Sequence, residues 1–522
     1  MKKILTRAAA CLLALLMAFA CASCLESPEN PPATEPDPAE MSVNDIYYPD
    51  VVYNPTFTNV KDFNAKGDGE TDDTEAVRAG IAALKDKGGT LFFPEGTYNV
   101  KSATFPANVC VAFERGAMLN SKGSVVINSY LYAGNYRVFT GDGAPRGTFL
   151  NDYGNPVWFG AVGDGETDST KAFVRTATYF RHTLIPDSEK GYVVSAITFS
   201  GPTRFSGVPM ENKRVKIIAS AETADLMTVA AGEVTLENLF LDMSRTKQGS
   251  CAIYFNTSAR TIEKCYVRNI ETEGAYTAVR DAKHASNMVI TTVLDEFLCR
   301  NNRGTAFVME DFWGFIFLRN SVVDNRKTLE TYGVEPNFPG VSLKDNAGCI
   351  FQNVSFFGSG NESNTREHGF AYINNVATWM EACKFDGLGG NAVNVTGNNS
   401  HLYMTNLTVT NAINTALQIG NTSMLQMHGI KISGAENITK GSGILFSGVN
   451  FSQVTDCTIE GMHDHGISVG GKNNSFVNNT LTNNGGNAVK ETSGSANTFV
   501  GTVMSGNGSD TVSLTGSASG SK

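Results

Sequence analysis

From about residue 235 onward, short apolar stretches alternate with Asn/Gly turns. One inward apolar position can be followed through Leu241, Val267, Cys299, Val323, Phe356, Phe385, Val409, Ile432, Ile459, Leu481 and Val503, with basal steps of 22 to 24 residues and several longer ones. Two residues before it runs a companion column: Leu239, Cys265, Phe297, Ser321, Val354, Cys383, Leu407, Ile430, Cys457 and Asn479. Side chains alternate across a strand, so both columns belong to one face. Such a repeat marks a solenoid, and short strands at this spacing predict stacked coils of a parallel β-helix. A second strand closes each coil, as in Ile253-Tyr254-Phe255, Val279-Arg280, Val341-Ser342-Leu343-Lys344 and Ala371-Tyr372-Ile373. Its first and third residues are expected inside and its alternate residues outside, which places Tyr254, Arg280 and Tyr372 on the surface.

Upstream the pattern changes to a duplicated module. Phe63 to Thr74 (FNAKGDGETDDT) recurs as Phe159 to Thr170 (FGAVGDGETDST). Gly-Asp-Gly is a turn signal, because glycine tolerates positive φ and aspartate bonds its own backbone. The Thr/Asp/Ser cluster behind it offers N-cap oxygens, and Glu75, three residues after Asp72, fits a capping box. Val77, Ile81 and Leu84 then recur at helical spacing, as do Phe173, Ala177 and Phe180. Each copy continues into strand, tight turn, strand. This module resembles the opening segment of the rhamnogalacturonase/epimerase-like pectate-lyase superfamily, which phage tailspikes share. The resemblance implies an all-β, single-stranded right-handed parallel β-helix of the pectin-lyase-like type with short N-terminal capping helices. It also implies that the module's carboxylates are turn and cap groups that protect the open end of the core. Met462 to Gly470 resembles the Gly-His-Gly-Ile-Ser segment of polygalacturonases, but Gly443 to Gly448 (GILFSG) stands where that family has its Asp-Asp pair. His465 is therefore expected to be a turn residue.

The N-terminus refines the setting. Lys2, Lys3 and Arg7 precede an apolar run from Ala8 to Ala20, too short to span a bilayer and ending at Cys21 and Cys24. This resembles a lipoprotein signal, with either cysteine as the lipidated residue. A Pro-rich polar stretch after it reads as an extended tether. The expected divisions are a signal at 1–24, a tether at 25–45, the first opening module at 46–150, the second with the first coils at 151–235, coils at 236–505 and a Gly/Ser-rich tail at 506–522. An exported bacterial lipoprotein follows, outer-membrane or periplasmic, with a membrane partner through its lipid. Losing the three signal cations takes the formal charge from −10 to −13. That argues against nucleic acid, which needs basic surface, and disfavours long polyanionic glycans unless a local basic groove overrides it. The seven later cysteines form no C-x-x-C pair and occupy apolar positions, so they read as small buried hydrophobes and no metal site is expected.

The chemistry is sought where the coils are irregular. Long loops on a rigid scaffold concentrate function, and the longest steps end near Cys299, Phe356 and Phe385. Beside them the outward positions carry Arg280, Asp281, Glu310, Asp311, Lys344 and Asp345 as catalytic candidates. Tyr254, Trp313, Tyr332 and Tyr372 are candidates for holding sugar rings. Strands lie roughly 4.7–4.9 Å apart, so carboxylates on neighbouring coils can approach the ~5 Å or ~6.5–9.5 Å separations of retaining and inverting glycosidases. A lyase needs instead a base and a cation beside a uronate carboxylate; Arg280, Lys283 and Lys344 offer the cation. The alternative for each residue is a surface ion pair between coils. The functional expectation is a polysaccharide-degrading enzyme, hydrolase or lyase, with a non-catalytic glycan-binding or adhesive β-helix as the other reading. No cofactor is expected, calcium being the one candidate should the reaction be a lyase's.

Overall fold

The computed structural model describes residues 47–513 except 142, 144, 209–212, 282–285 and 311–312, and only the backbone of 313–316. The signal with Cys21 and Cys24, the tether, Lys283, Asp311, the Trp313 side chain and the end of the tail lie outside the described residues.

The two Gly-Asp-Gly turns fold alike. Asp68 accepts the amides of Glu70 and Thr71 at 2.9 and 2.7 Å, and Asp164 accepts those of Glu166 and Thr167 at the same distances. Bonds from Thr71 and Thr167 hold these carboxyls down to about 2. Behind each turn lies a helix, α1 (Thr74–Leu84) and α2 (Thr170–Tyr179). The capping box does not form. Asp72 accepts the Thr74 amide at 3.1 Å, while Glu75 pairs with Arg78 at 2.8 Å. The N-cap is Asp73 rather than Asp72; its carboxylate bends back to accept the Lys66 amide and its own amide already donates to the Asn99 carbonyl at 2.9 Å, so Glu75 has no free cap amide to accept. Val77, Ile81 and Leu84 bury one face of α1, and Phe173 of α2 meets Tyr192 and Phe205 at 5.4 and 6.0 Å.

The strands wind as a right-handed parallel solenoid of about 18 turns. A first stack pairs strands within 58–132 and 68–140, and a continuous 37-stranded ribbon then runs from 164 to 513. Each coil of this ribbon has three faces. Faces A and B are halves of one bent strand, as in Val293–Arg300 or Ala347–Phe357, and face C is a separate strand such as Thr277–Asp281 or Val341–Lys344. The A–B bend needs one left-handed residue per coil, which asparagine tolerates. Asn238, Asn269, Asn320 and Asn353 stand there with φ between 50° and 60°. They bond along the stack, Asn269 to Asn238 at 2.9 Å and Asn353 to Asn320 at 3.1 Å. Above Asn406 the bend residue is Gly429, where an added Cβ would lie 2.6 Å from the side-chain Oδ1 of Asn406.

The interior column runs Leu241, Thr272, Cys299, Val323, Phe356, Phe385, Val409, Ile432, Ile459, Leu481 and Met504. Val267 belongs to face A, opposite Leu236 and Leu294, and Val503 is 57% exposed. In the companion column Ile270 replaces Cys265. Six of the seven described thiols are buried and Cys110 is half-buried. Burial pushes Cys251 and Cys299 up to about 12 and Cys457 up to about 11, which makes them inert. Iodoacetamide should therefore label Cys110 alone among these seven in native protein, as read by peptide mass mapping. Native labelling of Cys251 or Cys299 would contradict this packing.

Candidate functional site

The outward row of face C is set by its register: Thr198, Thr228, Tyr254, Arg280, Val308, Ser342, Ala371 and Asn394 stand on successive coils. The structure groups two candidates here with a residue that counting coils from 235 missed. Arg280 donates to Asp225, two coils down, at 2.6 Å, and its guanidinium lies 4.7 Å over the Tyr254 ring. Burial works against the Arg280 charge, but the Asp225 bond outweighs it and the guanidinium holds its proton more firmly than usual. Burial also raises the Tyr254 phenol, which stays protonated.

At the edge of this row Asp281 is 6% exposed, and its carboxylate accepts the Glu310 amide at 2.8 Å. Met309 lies opposite Leu343, and Glu310 and Lys344 are the residues that follow them on adjacent coils. Asp345 follows at the corner of its coil with φ 57°, in line with Asn374 at φ 54°. Tyr372 does not reach the surface. It is fully buried opposite Leu343 and Val395, and its hydroxyl meets Thr378 at 3.0 Å. The strand is Phe370–Ile373, one residue out of step with the expected alternation, because Phe370 takes the first inward place.

The long loops between faces B and C wall one side of this row. In the insertion, α3 (Thr328–Tyr332) turns Tyr332 back so that its hydroxyl donates to Glu273 at 2.8 Å. Arg303 lies 5.3 Å over the Tyr332 ring and 4.3 Å over Tyr276, and donates to the Gly274 and Met243 carbonyls, both at 2.7 Å. Further up, the Asn391 amide donates to His368 Nδ1 at 2.9 Å, so the proton of the neutral ring is on Nε2. The Asn394 atom 3.1 Å away must then be its carbonyl oxygen. Burial lowers His368 to about 4. His465 accepts the Asn487 amide in the same way, a turn role. Among the described residues no cluster of three or more His, Cys, Asp or Glu could hold a metal, so no step is routed through calcium.

Residues 57–110 match the family described as rhamnogalacturonase A/epimerase, pectate lyase-like, and residues 442–521 match the right-handed beta helix region. These two matches, with the right-handed solenoid, support the pectin-lyase-like β-helix superfamily. Local stretches of this β-helix resemble two proteins of Azotobacter vinelandii. Alginate lyase 7 is 44% identical over 75 residues, 14% of this chain and 7% of that protein. Mannuronan C5-epimerase AlgE4 is 42% identical over 66 residues, 12% of each chain. The chain thus spans only a small part of the relatives it matches. Among solved structures, the AlgE4 A-module aligns over 89% of this chain and 99% of that chain, at 15% identity and a TM-score of 0.25. The tailspike of E. coli bacteriophage HK620 aligns over 77% and 76%, at 11% and 0.39.

The other two faces of this β-helix carry charge that the sequence did not single out. On face B, Glu271 sits between Arg214 at 2.9 Å and Arg300 at 3.1 Å, beside clefts of about 490 and 450 Å³. On face A, Glu237 is 2% exposed and bridges Arg204 at 2.6 Å and Arg268 at 3.0 Å. Burial opposes its ionisation, but bonds from Ser206 and both arginines prevail and hold the carboxyl below the usual range. Its stabilising effect is therefore complete above the ordinary glutamate value and is lost as pH falls through the lowered one. Both arginines are half exposed, so Glu237→Gln should cost only about 2 kcal/mol at neutral pH and flatten the acid limb of the stability curve. An unchanged acid limb in denaturation across pH would contradict the bridge. Higher on face A, Trp379 and Tyr403 stack with centroids 5.4 Å apart, Trp379 being 38% exposed.

Proposed function

We propose that this chain is a polysaccharide-degrading enzyme held at the bacterial surface or in the periplasm, that face C is its working surface, and that it cleaves a uronic-acid-containing chain by β-elimination. The observation that carries the reading is the placing of Tyr254, Arg280, Glu310 and Lys344 on four successive coils along face C. The cation of Arg280 would face the uronate carboxylate and make the adjacent C–H more acidic. Glu310 would take that proton, and Lys344 on the next coil supplies a second cation. As the glycosidic C–O bond breaks, the protonated Tyr254 hydroxyl would donate to the leaving oxygen, leaving an unsaturated sugar. The names of the local relatives, an alginate lyase and mannuronan C5-epimerases, support a uronan substrate. Hydrolysis by paired carboxylates is less well served, because the Asp281 carboxylate is buried on the Glu310 amide and Lys344 follows Glu310.

The test is to incubate purified protein with alginate, pectate and neutral glucans. New reducing ends together with ultraviolet-absorbing unsaturated products are expected from a uronan. Reducing ends without that absorbance would replace elimination by hydrolysis. Binding with no product from any polymer would overturn the enzyme reading in favour of an adhesive β-helix.

A further inference from the structure

A cleft of about 830 Å³ opens where the first stack ends and the main ribbon begins. On one side it is lined by Thr148, Phe149, Asn151 and Asp152 and on the other by the end of α2 with Arg181 and the Thr198–Thr203 segment. Its floor is Phe149, whose φ of 26° places a bulky side chain in the left-handed region, at a cost of about 1–2 kcal/mol. That ring is held 5.7 Å from Tyr179 and 4.9 Å from Phe180.

Three side chains converge on this cleft without a hydrogen-bond or ion-pair partner among the described residues: the Tyr179 hydroxyl, the Asp152 carboxylate and the Arg181 guanidinium. The exposed hydroxyls of Thr198 and Ser200 stand at its rim. A concave site with an aromatic base and a few unspent polar groups is what a small ligand needs. One acid and one base leave it without net charge. The corresponding space in the first module, beside α1, is a smaller cleft of about 500 Å³, and Arg78 there is already spent on Glu75 and Ser102. The duplication has therefore produced the larger cleft, with its arginine unspent, at the second copy. Thr198 at the rim is also the first member of the outward row of face C, two coils below Tyr254. Neighbouring members stand ~4.8 Å apart.

We infer that this cleft is a carbohydrate-binding site for uncharged sugar units, set at the end of face C and separate from its chemistry. The apolar side of a pyranose would lie against the partly exposed Tyr179 ring, which buried Phe149 supports from beneath, with its hydroxyls bonded to Asp152 and Arg181. That a bound chain continues onto face C rests on the reading proposed above; binding in the cleft does not.

The experiment is titration calorimetry of the intact protein with cellohexaose and maltohexaose. At least one should bind. The double variant Asp152→Ala/Arg181→Ala should weaken that binding by about tenfold or more, and Tyr179→Phe by about threefold. Arg280→Gln should leave it within about twofold. Unchanged melting curves would show that the variants fold. The inference is overturned if neither hexasaccharide binds, or if the double variant binds as the natural protein does. Failure of face C would show instead as absence of product from every polymer, with cleft binding intact.

Discussion

Glu310→Gln is expected to lower kcat/KM on the cleaved uronan by about 10²–10⁴-fold, with KM little changed. The amide keeps the size of the side chain and cannot accept the proton. The Glu310 backbone amide, which donates to Asp281 at 2.8 Å, is untouched, so the local fold should persist. The loss should therefore appear in kcat, in steady-state rates of unsaturated product. A variant retaining more than about half of the activity would remove Glu310 from the reaction.

The second large effect concerns stability. Asn375 is fully buried and links three coils. Its backbone amide donates to Asn399 Oδ1 at 2.8 Å, its own Oδ1 accepts the Asn346 backbone amide at 2.8 Å, and its Nδ2 donates to the Leu343 carbonyl at 3.1 Å. Asn375→Ala would leave a buried N–H and a buried C=O unpaired, together with a cavity, at a cost of about 3–5 kcal/mol. In a solenoid each coil is held mainly by its neighbours. The loss should thus appear as a lower denaturant midpoint and as faster amide exchange around 343–347. Because Lys344 and Asp345 lie on that coil, activity should fall as well. A midpoint within about 0.5 kcal/mol of the natural protein would contradict the ladder.

The coil repeat was legible in the sequence wherever strands obeyed strict alternation. It slipped where a polar residue occupied the core. Thr272 is buried at a position that the pattern reserves for an aliphatic residue, and the eye moves to Val267, five residues earlier on face A. Tyr372 misled for the opposite reason: a hydroxylated ring was placed outside, but Thr378 gives its oxygen a buried partner. The first coils were placed within 151–235 but not followed strand by strand, and the turn at 220–224 carries neither Asn nor Gly, so Asp225 was missed. The outward row could be read as far as Tyr254 and Arg280, since that needs only the period of two. Which face they share with Glu310 and Lys344 depends on loop lengths, and the sequence does not resolve these into register. Features such as the Trp379–Tyr403 stack and the Glu237 bridge join residues from different coils of one face, so no local pattern announces them.

Each face offers an ion-paired arginine for comparison: Arg280 with Asp225 on C at 2.6 Å, Arg300 with Glu271 on B at 3.1 Å, and Arg319 with Asp295 on A at 2.9 Å. The same change to glutamine can be made at all three and kcat/KM measured on one uronan. If face C does the work, Arg280→Gln should lose about 10²-fold or more, while Arg300→Gln and Arg319→Gln stay within about threefold. Full activity in Arg280→Gln, with a loss in either of the others, would contradict the account.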